Sequence, residues 1–381
     1  MGAAELFTRS GDDKAVCPMP AHLVPDAPEK FIGDYSFHEF NEILSGCCSA
    51  ITCLVIFAVM ARHALRYSDP NQQVKIMRIA TLSPLYTIYS LLSICFPNAY
   101  VYMNGWTKFI QGLAMYWFLM LLCDFMAPND RHRPEFFASL RVPNTYTKGT
   151  SDGLSFLKRT WISVLQYPIV AFILAIVQSV TQAQGTYCLE GKGAHFSKIY
   201  ITVINIISLY MAIFNIIRFH KHLKSYMGEN KPMQKLIAFK MVVGLEFLEQ
   251  IIFMILDATN TLKPSATLSY ADIIIGIPTM IICLQVVPFA FFFFHAFNLK
   301  PYTKANTTRA SDGSQQYLAV DGNEAGSPLG KRYKGGPLGI YAWIELFNPG
   351  ELYHSIRNTW RMFREAKMGK SEMNLNPEPY A

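Results

Sequence analysis

The chain has 381 residues, of which 51% are apolar and 16% are charged, and its formal net charge is +7. The charged fraction lies well below the roughly 25% that is usual in soluble proteins, which argues against an ordinary soluble domain. The positive net charge does not predict a nucleic-acid partner, because the basic residues alternate with long apolar segments in the way expected of a membrane protein.

Seven apolar segments follow one another along the chain, and each is long enough to cross a bilayer. A hydrocarbon core of about 30 Å requires about 20 helical residues, and backbone groups without partners exclude irregular structure there. The segments are Ile43–Met60, Ile79–Phe96, Phe109–Met126, Trp161–Val180, Ile199–Ile217, Leu236–Leu256 and Ala271–Phe297. The sequence therefore predicts an all-α membrane protein, a seven-transmembrane helix bundle that occupies residues 41–300.

Lysine and arginine are concentrated in alternate loops of this bundle. The second, fourth and sixth loops contain only Lys108, Lys192, Lys198 and Lys263, whereas the first, third and fifth loops and the C-terminal tail are basic. Because basic loops stay in the cytoplasm, we expect the N-terminus outside and the C-terminus cytoplasmic. Residues 1–40 are then an external arm, and the plasma membrane and an endomembrane are equally compatible with this multi-pass topology.

Two of the eight cysteines lie in the predicted external segments. Cys17 belongs to the N-terminal arm and Cys188 to the second external loop. Because an external compartment is oxidising, we predict a disulfide between them. The other six lie within predicted helices, where small apolar packing is the expected role.

The chain beyond the bundle divides into three parts. Residues 301–340 are rich in Gly, Ser, Ala and Asn, which predicts a flexible cytoplasmic linker, and residues 368–381 are expected to be a disordered tail. Between them, residues 341–367 contain a helix-start signal, with Asn348 at the N-cap and Glu351 at the third position. The amphipathic helix that follows suits an anionic membrane surface, and packing under the bundle is an equal alternative. The membrane-surface residues of this hypothesis are Arg357, Trp360, Arg361 and Arg364.

Two carboxylates, Glu246 and Glu249, lie deep in the sixth segment and are followed by Gln250. Charged groups at this depth are costly and tend to be functional, and a spacing of three places both on one helix face. No lysine or arginine of the sequence lies at a comparable depth, so we do not expect an ion pair. We predict that these residues line a solute pathway. Uncharged candidates for the same pathway are Gln111, Gln166, Asn205 and Gln285, for which interhelical hydrogen bonding is the alternative.

Ionisable groups near the helix ends are weaker candidates. Asp124, Asp257 and Asp272 are expected to face headgroups or water. Histidines near the inner face raise the alternative of an intramembrane zinc hydrolase, namely His63, His132, His220, His222 and His295. However, the sequence has no HExxH motif, and His132, His220 and His222 lie in basic loops. No metal or cofactor is therefore predicted.

Short segments from about Phe37 to Phe363 follow a known pattern in their order and spacing. They include Lys75–Ile79 leading into Ser83–Tyr86, Val164–Tyr167, His295–Phe297 followed by Lys300–Tyr302, and Leu346–Pro349. Together they resemble the organic solute transporter alpha-subunit family and its seven-helix relatives. Two positions depart from the family pattern, because Gln111 and Gln285 stand where the family typically has glutamate.

The resemblance implies facilitated transport of amphipathic organic anions, sterol conjugates or lipids, and therefore a carrier and not an enzyme. It also implies membrane lipids and an amphipathic solute as partners, with either a single-span beta-type subunit or a homo-oligomer. The main alternative is a seven-helix receptor or a scaffold in endomembrane trafficking. The receptor is disfavoured because the third segment ends in Cys123-Asp124-Phe125 and lacks the Asp-Arg-Tyr type of motif.

Overall fold

The computed structural model of the chain is mostly helical. It describes Cys17, Leu23 and residues 29–127, 133–143, 149–189, 195–227, 264–299 and 333–354. It also describes isolated positions, namely Gly244, Ile252, Phe253, Ile255, Leu256, Thr259, Tyr302, Ile356 and Arg357.

The described residues form long helices and one short antiparallel ribbon. The helices are α1 (Phe37–Leu65), α2 (Pro70–Ala80), α3 (Leu82–Cys95), α4 (Tyr100–Met126), α5 (Arg133–Ser139), α6 (Gly153–Ala183), α7 (Ser197–Leu223), α8 (Ile277–Ala296) and α9 (Ile340–Leu346). The ribbon pairs β1 (Arg141–Pro143) with β2 (Thr150–Asp152). Short 3₁₀ turns lie at Pro97–Ala99, Lys224–Met227 and Pro337–Gly339, a π-helical turn at Asp272–Gly276 precedes α8, and helical backbone resumes at Gly350.

Local sequence signals explain where the helices begin. At the start of α1 the Ser36 hydroxyl accepts a hydrogen bond from the Glu39 amide, and the Glu39 carboxylate accepts one from the Ser36 amide at 2.8 Å. This reciprocal pair satisfies amides that have no partner within the helix. The Asp152 carboxylate caps α6 in the same way by accepting from the Ser155 amide.

Five helices of the described residues are long and apolar enough to cross a membrane. They are Phe37–Leu65, Pro97–Met126, Gly153–Ala183, Ser197–Tyr226 and Asp272–Ala296. These correspond to the first, third, fourth, fifth and seventh predicted segments, and most extend several residues beyond the predicted bounds. The sixth predicted segment, Leu236–Leu256, lies almost entirely outside the described residues.

The second predicted segment is divided in the structure. It falls on the end of α2 and on α3, which has 14 residues, and the two helices meet at Thr81. Pro84 explains the interruption, because it has no amide to donate to the carbonyl of Ala80 and its ring crowds that carbonyl. At the junction, the Thr81 hydroxyl donates to the Arg78 carbonyl at 2.7 Å.

The helix α4 lies at the centre of the bundle. In its most apolar stretch of 18 residues 83% is buried, whereas in the other four spanning helices 33–44% of the corresponding stretch is buried.

The bundle has two ends that differ in composition. The basic end contains the C-termini of α1 and α4, the start of α2, and α9. The disulfide end contains the C-terminus of α6, the Pro97–Ala99 turn and the Asp272–Gly276 turn.

Candidate functional site

Two glycines of α4 allow a close approach of this helix to α6. A Cβ atom on Gly112 would lie 2.8 Å from the Cα of Pro168, and one on Gly105 would lie 3.2 Å from the Cα of Ala175. Small residues allow this contact in the way that is common between membrane helices. The α4–α6 pair is consequently a closely packed part of the bundle, and Gln111 and Tyr167 meet across it.

The predicted pathway residue Gln111 lies beside this contact and is fully buried. The hydroxyl of Tyr167 on α6 donates to its side-chain oxygen at 2.9 Å. About three turns further along α6, the side-chain amide of Gln178 donates to the Val101 carbonyl at 2.6 Å. Gln111 therefore forms an interhelical hydrogen bond, which is the alternative to a pathway role that the sequence left open.

The predicted pathway residue Gln166 joins α6 to α7. Its side-chain amide donates to the Ser208 carbonyl at 2.9 Å, and its side-chain oxygen accepts from the Ser208 hydroxyl at 2.7 Å. Asn205 lies one turn before Ser208 on α7 and is half-buried, as is Gln285 on α8. The structure thus brings Gln166 and Asn205 to the same helix pair. The three other predicted pathway residues, Glu246, Glu249 and Gln250, lie outside the described residues.

A buried ion cluster lies at the basic end. Its members are Lys75 and Arg78 of α2, Asp124 of α4, Arg133 of α5 and Glu351. The Asp124 carboxylate, only 1% exposed, accepts from the Lys75 ammonium and from the Arg133 guanidinium, each at 2.7 Å. We expected Asp124 to face headgroups or water, and that expectation is wrong because the start of α2 and of α5 fold over it.

The second carboxylate of the cluster joins the C-terminal segment to α2. Glu351 lies 2.8 Å from the Lys75 ammonium and 3.0 Å from the Arg78 guanidinium. Burial by itself lowers the pKa of the Lys75 ammonium, but the charges of Asp124 and Glu351 outweigh this effect and raise its pKa above the usual value. Lys75 therefore stays charged and bridges two carboxylates from distant parts of the chain.

Arg78 also binds the backbone of the C-terminal segment. Its guanidinium donates to the carbonyls of Glu345, Leu346 and Asn348 at 2.7, 3.2 and 2.8 Å. Leu346 is the last residue of α9 and Asn348 lies just beyond it, and the Glu345 carbonyl also accepts from the Asn348 amide at 3.1 Å. The guanidinium also stacks over Trp117 at 4.1 Å. One side chain of α2 thus fixes the end of α9 against α4.

Sequence reasoning missed the ion cluster because it counted Lys75 and Arg78 only among the basic residues that flank the first loop. A signal was available in the family resemblance. Lys75 and Arg78 lie in one segment of it, Lys75–Ile79, and the backbone that Arg78 contacts lies in another, Leu346–Pro349. The structure places these two segments in direct contact. Each segment alone contains no evident site, and their meeting depends on the return of the C-terminal chain to the bundle.

The helix predicted to start near Asn348 begins at Gly350. The Asn348 side chain accepts from the Gly350 amide at 2.9 Å, as expected of a capping residue. Leu352 and Ile356 pack against the main hydrophobic core, and Arg357 is exposed. The first turns of this helix thus pack under the bundle. The other members of the membrane-surface hypothesis, Trp360, Arg361 and Arg364, lie outside the described residues.

At the disulfide end, Cys17 and Cys188 are joined by the disulfide that the sequence predicts. Nearby, the Leu23 amide donates to the Asn98 side chain at 3.1 Å. Leu23 also packs with Ala271 and Ile275 in a small apolar cluster. The N-terminal arm is thereby attached to three separate parts of this end of the bundle.

Asp272 was expected to face headgroups or water, and this expectation is also wrong. The residue is buried, and its carboxylate accepts from the Ser269 hydroxyl at 2.7 Å and from the Ser269 amide at 3.0 Å. The Asn41 side chain of α1 donates to the Gly276 carbonyl of the same π-helical turn at 2.9 Å. Asp272 therefore caps the start of the last spanning helix. Asp257 lies outside the described residues.

The histidines considered for a metal site are dispersed where the structure describes them. The His63 ring bonds with the Phe297 carbonyl at 3.1 Å, and His132 lies outside the described residues. Among the described residues, no three His, Cys, Asp or Glu side chains are grouped so as to hold a metal ion.

Comparisons with known proteins identify the family. The profile described as organic solute transporter Ostalpha matches residues 42–302. A transmembrane protein 184 homolog from Dictyostelium discoideum is 26% identical over 254 residues, which cover 63% of this chain and 49% of the relative. The chain thus spans about half the length of that curated relative, and no solved structure matches significantly. Because the profile covers more than half of the chain, the protein belongs to the organic solute transporter Ostalpha family.

Proposed function

We propose that the protein mediates facilitated transport of an amphipathic organic anion, a sterol conjugate or a lipid across a membrane. The observation that carries this proposal is the family match over residues 42–302, a range that contains most of α1 and all helices from α2 to α8. The five apolar spanning helices of the described residues support a function within the bilayer.

The proposed topology has seven spans, with the basic end in the cytoplasm. The second span consists of the end of α2 together with α3, and the sixth consists of residues 236–256. The distribution of lysine and arginine supports this orientation, because the loops that meet at the basic end carry most of these residues. The disulfide at the opposite end supports the same orientation, since disulfides persist in oxidising compartments.

The proposed solute pathway runs along the sixth span, past Glu246, Glu249 and Gln250. Asn205 of α7 and Gln285 of α8, both half-buried, are its proposed contributors from neighbouring helices. Gln111 and Gln166 are assigned a supporting role, because their hydrogen bonds to Tyr167 and Ser208 connect helices. In this arrangement the acidic side chains are the groups whose charge a passing solute or proton would sense.

The Glu246→Gln variant tests the proposal. The amide retains the shape of the side chain but cannot ionise, so we expect slower solute flux and a flatter dependence of that flux on pH. The measurement is uptake of a radiolabelled sterol sulfate by proteoliposomes across the acid to neutral range. The matched control is Glu29→Gln, the same change at an exposed position of the disulfide end.

Unchanged flux at every pH in Glu246→Gln, with wild-type flux intact, would contradict the assigned pathway. Absence of protein-dependent flux in the wild type would contradict transport of this solute class itself. The two outcomes are distinguishable because the wild type is measured in the same preparation.

A further inference from the structure

The helix α9 presents a large exposed apolar face. Phe347 is 82% exposed and Ile344 is 64% exposed, although both are strongly apolar. The exposed apolar residues of this face, here called the α9 face, are Leu338, Ile340, Tyr341, Ile344 and Phe347. A contiguous apolar surface of this kind, on a segment otherwise held firmly in place, indicates an interaction site.

The opposite side of α9 is fixed to the bundle. Trp343 stacks on Phe57 of α1 with ring centroids 5.6 Å apart, and Ala342 is fully buried. Phe57 lies on the outward side of α1, where it and Leu54 are themselves exposed. In a spanning helix such outward apolar residues face lipid. The α9 face therefore continues the lipid-facing surface of α1.

The segment runs back along α1 toward the interior of the membrane. The Lys334 amide donates to the Tyr67 carbonyl at 2.7 Å, just beyond the end of α1, and Trp343 lies against Phe57. The apolar part of α1 ends at Met60, and from there to Phe57 the axis of α1 rises about 4.5 Å at roughly 1.5 Å per residue. Trp343 consequently lies close to one turn inside the apolar part of a spanning helix.

Gly339 makes this approach to α1 feasible. Its φ of +78° is in the left-handed region, and a Cβ atom there would lie 2.6 Å from the Ala64 carbonyl oxygen. Any side chain at residue 339 would force the start of α9 away from α1. The position thus allows only glycine as long as α9 lies in its observed place.

Arg78 satisfies the backbone that a membrane would otherwise leave without partners. Carbonyl groups at a helix end are costly in hydrocarbon unless the protein satisfies them. The Arg78 guanidinium donates to the carbonyl of Leu346, the last residue of α9, and to the carbonyls of Glu345 and Asn348 on either side of it, of which Glu345 also accepts from the Asn348 amide. This arrangement is what a short helix needs in order to end at membrane depth.

We propose that the α9 face inserts into the acyl-chain region of the leaflet at the basic end and contacts lipid chains there. The occupant of this face is thus the lipid bilayer, because the face is continuous with the outward surface of α1. This interaction lies outside the proposed solute pathway and holds whether or not the protein transports a sterol conjugate. It also differs from a surface contact by Arg357, Trp360, Arg361 and Arg364, which follow in sequence.

Depth-dependent quenching tests the proposal with the full chain. A fluorescent unnatural amino acid replaces Ile344, or Phe347 in a second variant, and the protein is reconstituted in nanodiscs of phosphatidylcholine and phosphatidylserine with brominated acyl chains. We expect a loss of fluorescence comparable to that of the same label at Leu54, and little loss with aqueous iodide. The same label at Ala138, an exposed position of the short helix α5 between two spanning helices, is the comparison for a site outside the acyl-chain region.

A glycine variant tests whether the quenching depends on the observed position of α9 against α1. Gly339→Ala is expected to reduce bromolipid quenching at Ile344, because the added methyl group displaces the segment from Ala64. Gly185→Ala is the matched control, since Gly185 has a similar φ of +70° but open space around it. This control is expected to leave the quenching unchanged.

Three outcomes would overturn the proposal. Quenching by iodide without quenching by bromolipid would show that the face meets water. Quenching by neither agent in a disc that contains two protein copies would show that a second chain covers the face. Equal bromolipid quenching in Gly339→Ala and wild type would show that the contact does not depend on the placement of α9 against α1.

Discussion

The two ends of the bundle are held together by different kinds of interaction. At the basic end, Lys75, Asp124 and Glu351 are buried or partly buried charges that depend on one another. At the disulfide end, a covalent bond between Cys17 and Cys188 is combined with neutral hydrogen bonds and apolar packing. The comparison predicts that removal of one partner destabilises the basic end more than the disulfide end, because it leaves a buried charge without a partner of opposite sign.

The difference follows from the positions of the charges in the sequence. A membrane protein concentrates lysine and arginine at one end of its helices, and at this end the C-terminal segment returns and covers some of them. Covered cations need carboxylate or carbonyl partners, which Asp124, Glu351 and the end of α9 supply. The disulfide end contains few cations and needs no such arrangement.

The largest effect is expected for Asp124→Ala. The substitution leaves the buried Lys75 and Arg133 without their shared carboxylate, and removal of one partner from a buried ion pair typically costs about 3–5 kcal/mol. We expect a large drop in the thermal unfolding temperature of the solubilised protein. The matched control is Asp34→Ala, at an exposed turn position, which is expected to change stability by about 0.5 kcal/mol or less. Equal unfolding temperatures for the two variants would show that the cluster does not stabilise the fold.

An intermediate effect is expected for Cys17→Ser. The disulfide closes a loop with a sequence separation of 171 residues, and such bonds typically contribute about 2–4 kcal/mol by restricting the unfolded chain. A reductant should lower the unfolding temperature of the wild type toward that of the variant and leave the variant unchanged. A wild type that is insensitive to reductant under unfolding conditions would contradict a stabilising role for this bond.

Much of the fold could be predicted from the sequence, because long apolar segments allow few structures in a bilayer. The segments Phe109–Met126 and Trp161–Val180 lie within α4 and α6, and the disulfide between Cys17 and Cys188 was predicted from the expectation that both lie in external segments. Pro84 within the second segment predicts a bend there, which agrees with the break at Thr81, but the division into two helices was not predicted. The lengths of α1 and α6 were underestimated, because the capping residues Ser36 and Asp152 start these helices before the apolar segment begins.

The site was less predictable because it depends on contacts between distant segments. Periodicity and charge count place Lys75 and Arg78 at the basic end, but they do not show that Glu351 returns to meet them. The burial of Asp124 likewise depends on α5 folding back over the end of α4. Tertiary contacts of this kind leave no local pattern, which is why the cluster was found only in the structure.

Arg78→Lys has the smallest expected effect and tests the central comparison most directly. Lysine keeps the charge but cannot reproduce the guanidinium contacts with three carbonyls and Glu351, so we expect about 1–3 kcal/mol of lost docking energy. Hydrogen exchange measured by mass spectrometry should then become faster at residues 340–354 and stay unchanged at residues 186–189. Arg357→Lys, at an exposed position of the same segment, is the matched control.

The same measurement on Cys17→Ser should give the reverse pattern, with faster exchange at residues 186–189 and unchanged exchange at residues 340–354. This result would establish that the two ends are stabilised independently. Unchanged exchange at residues 340–354 in Arg78→Lys, or equal changes at both ends in either variant, would contradict the account.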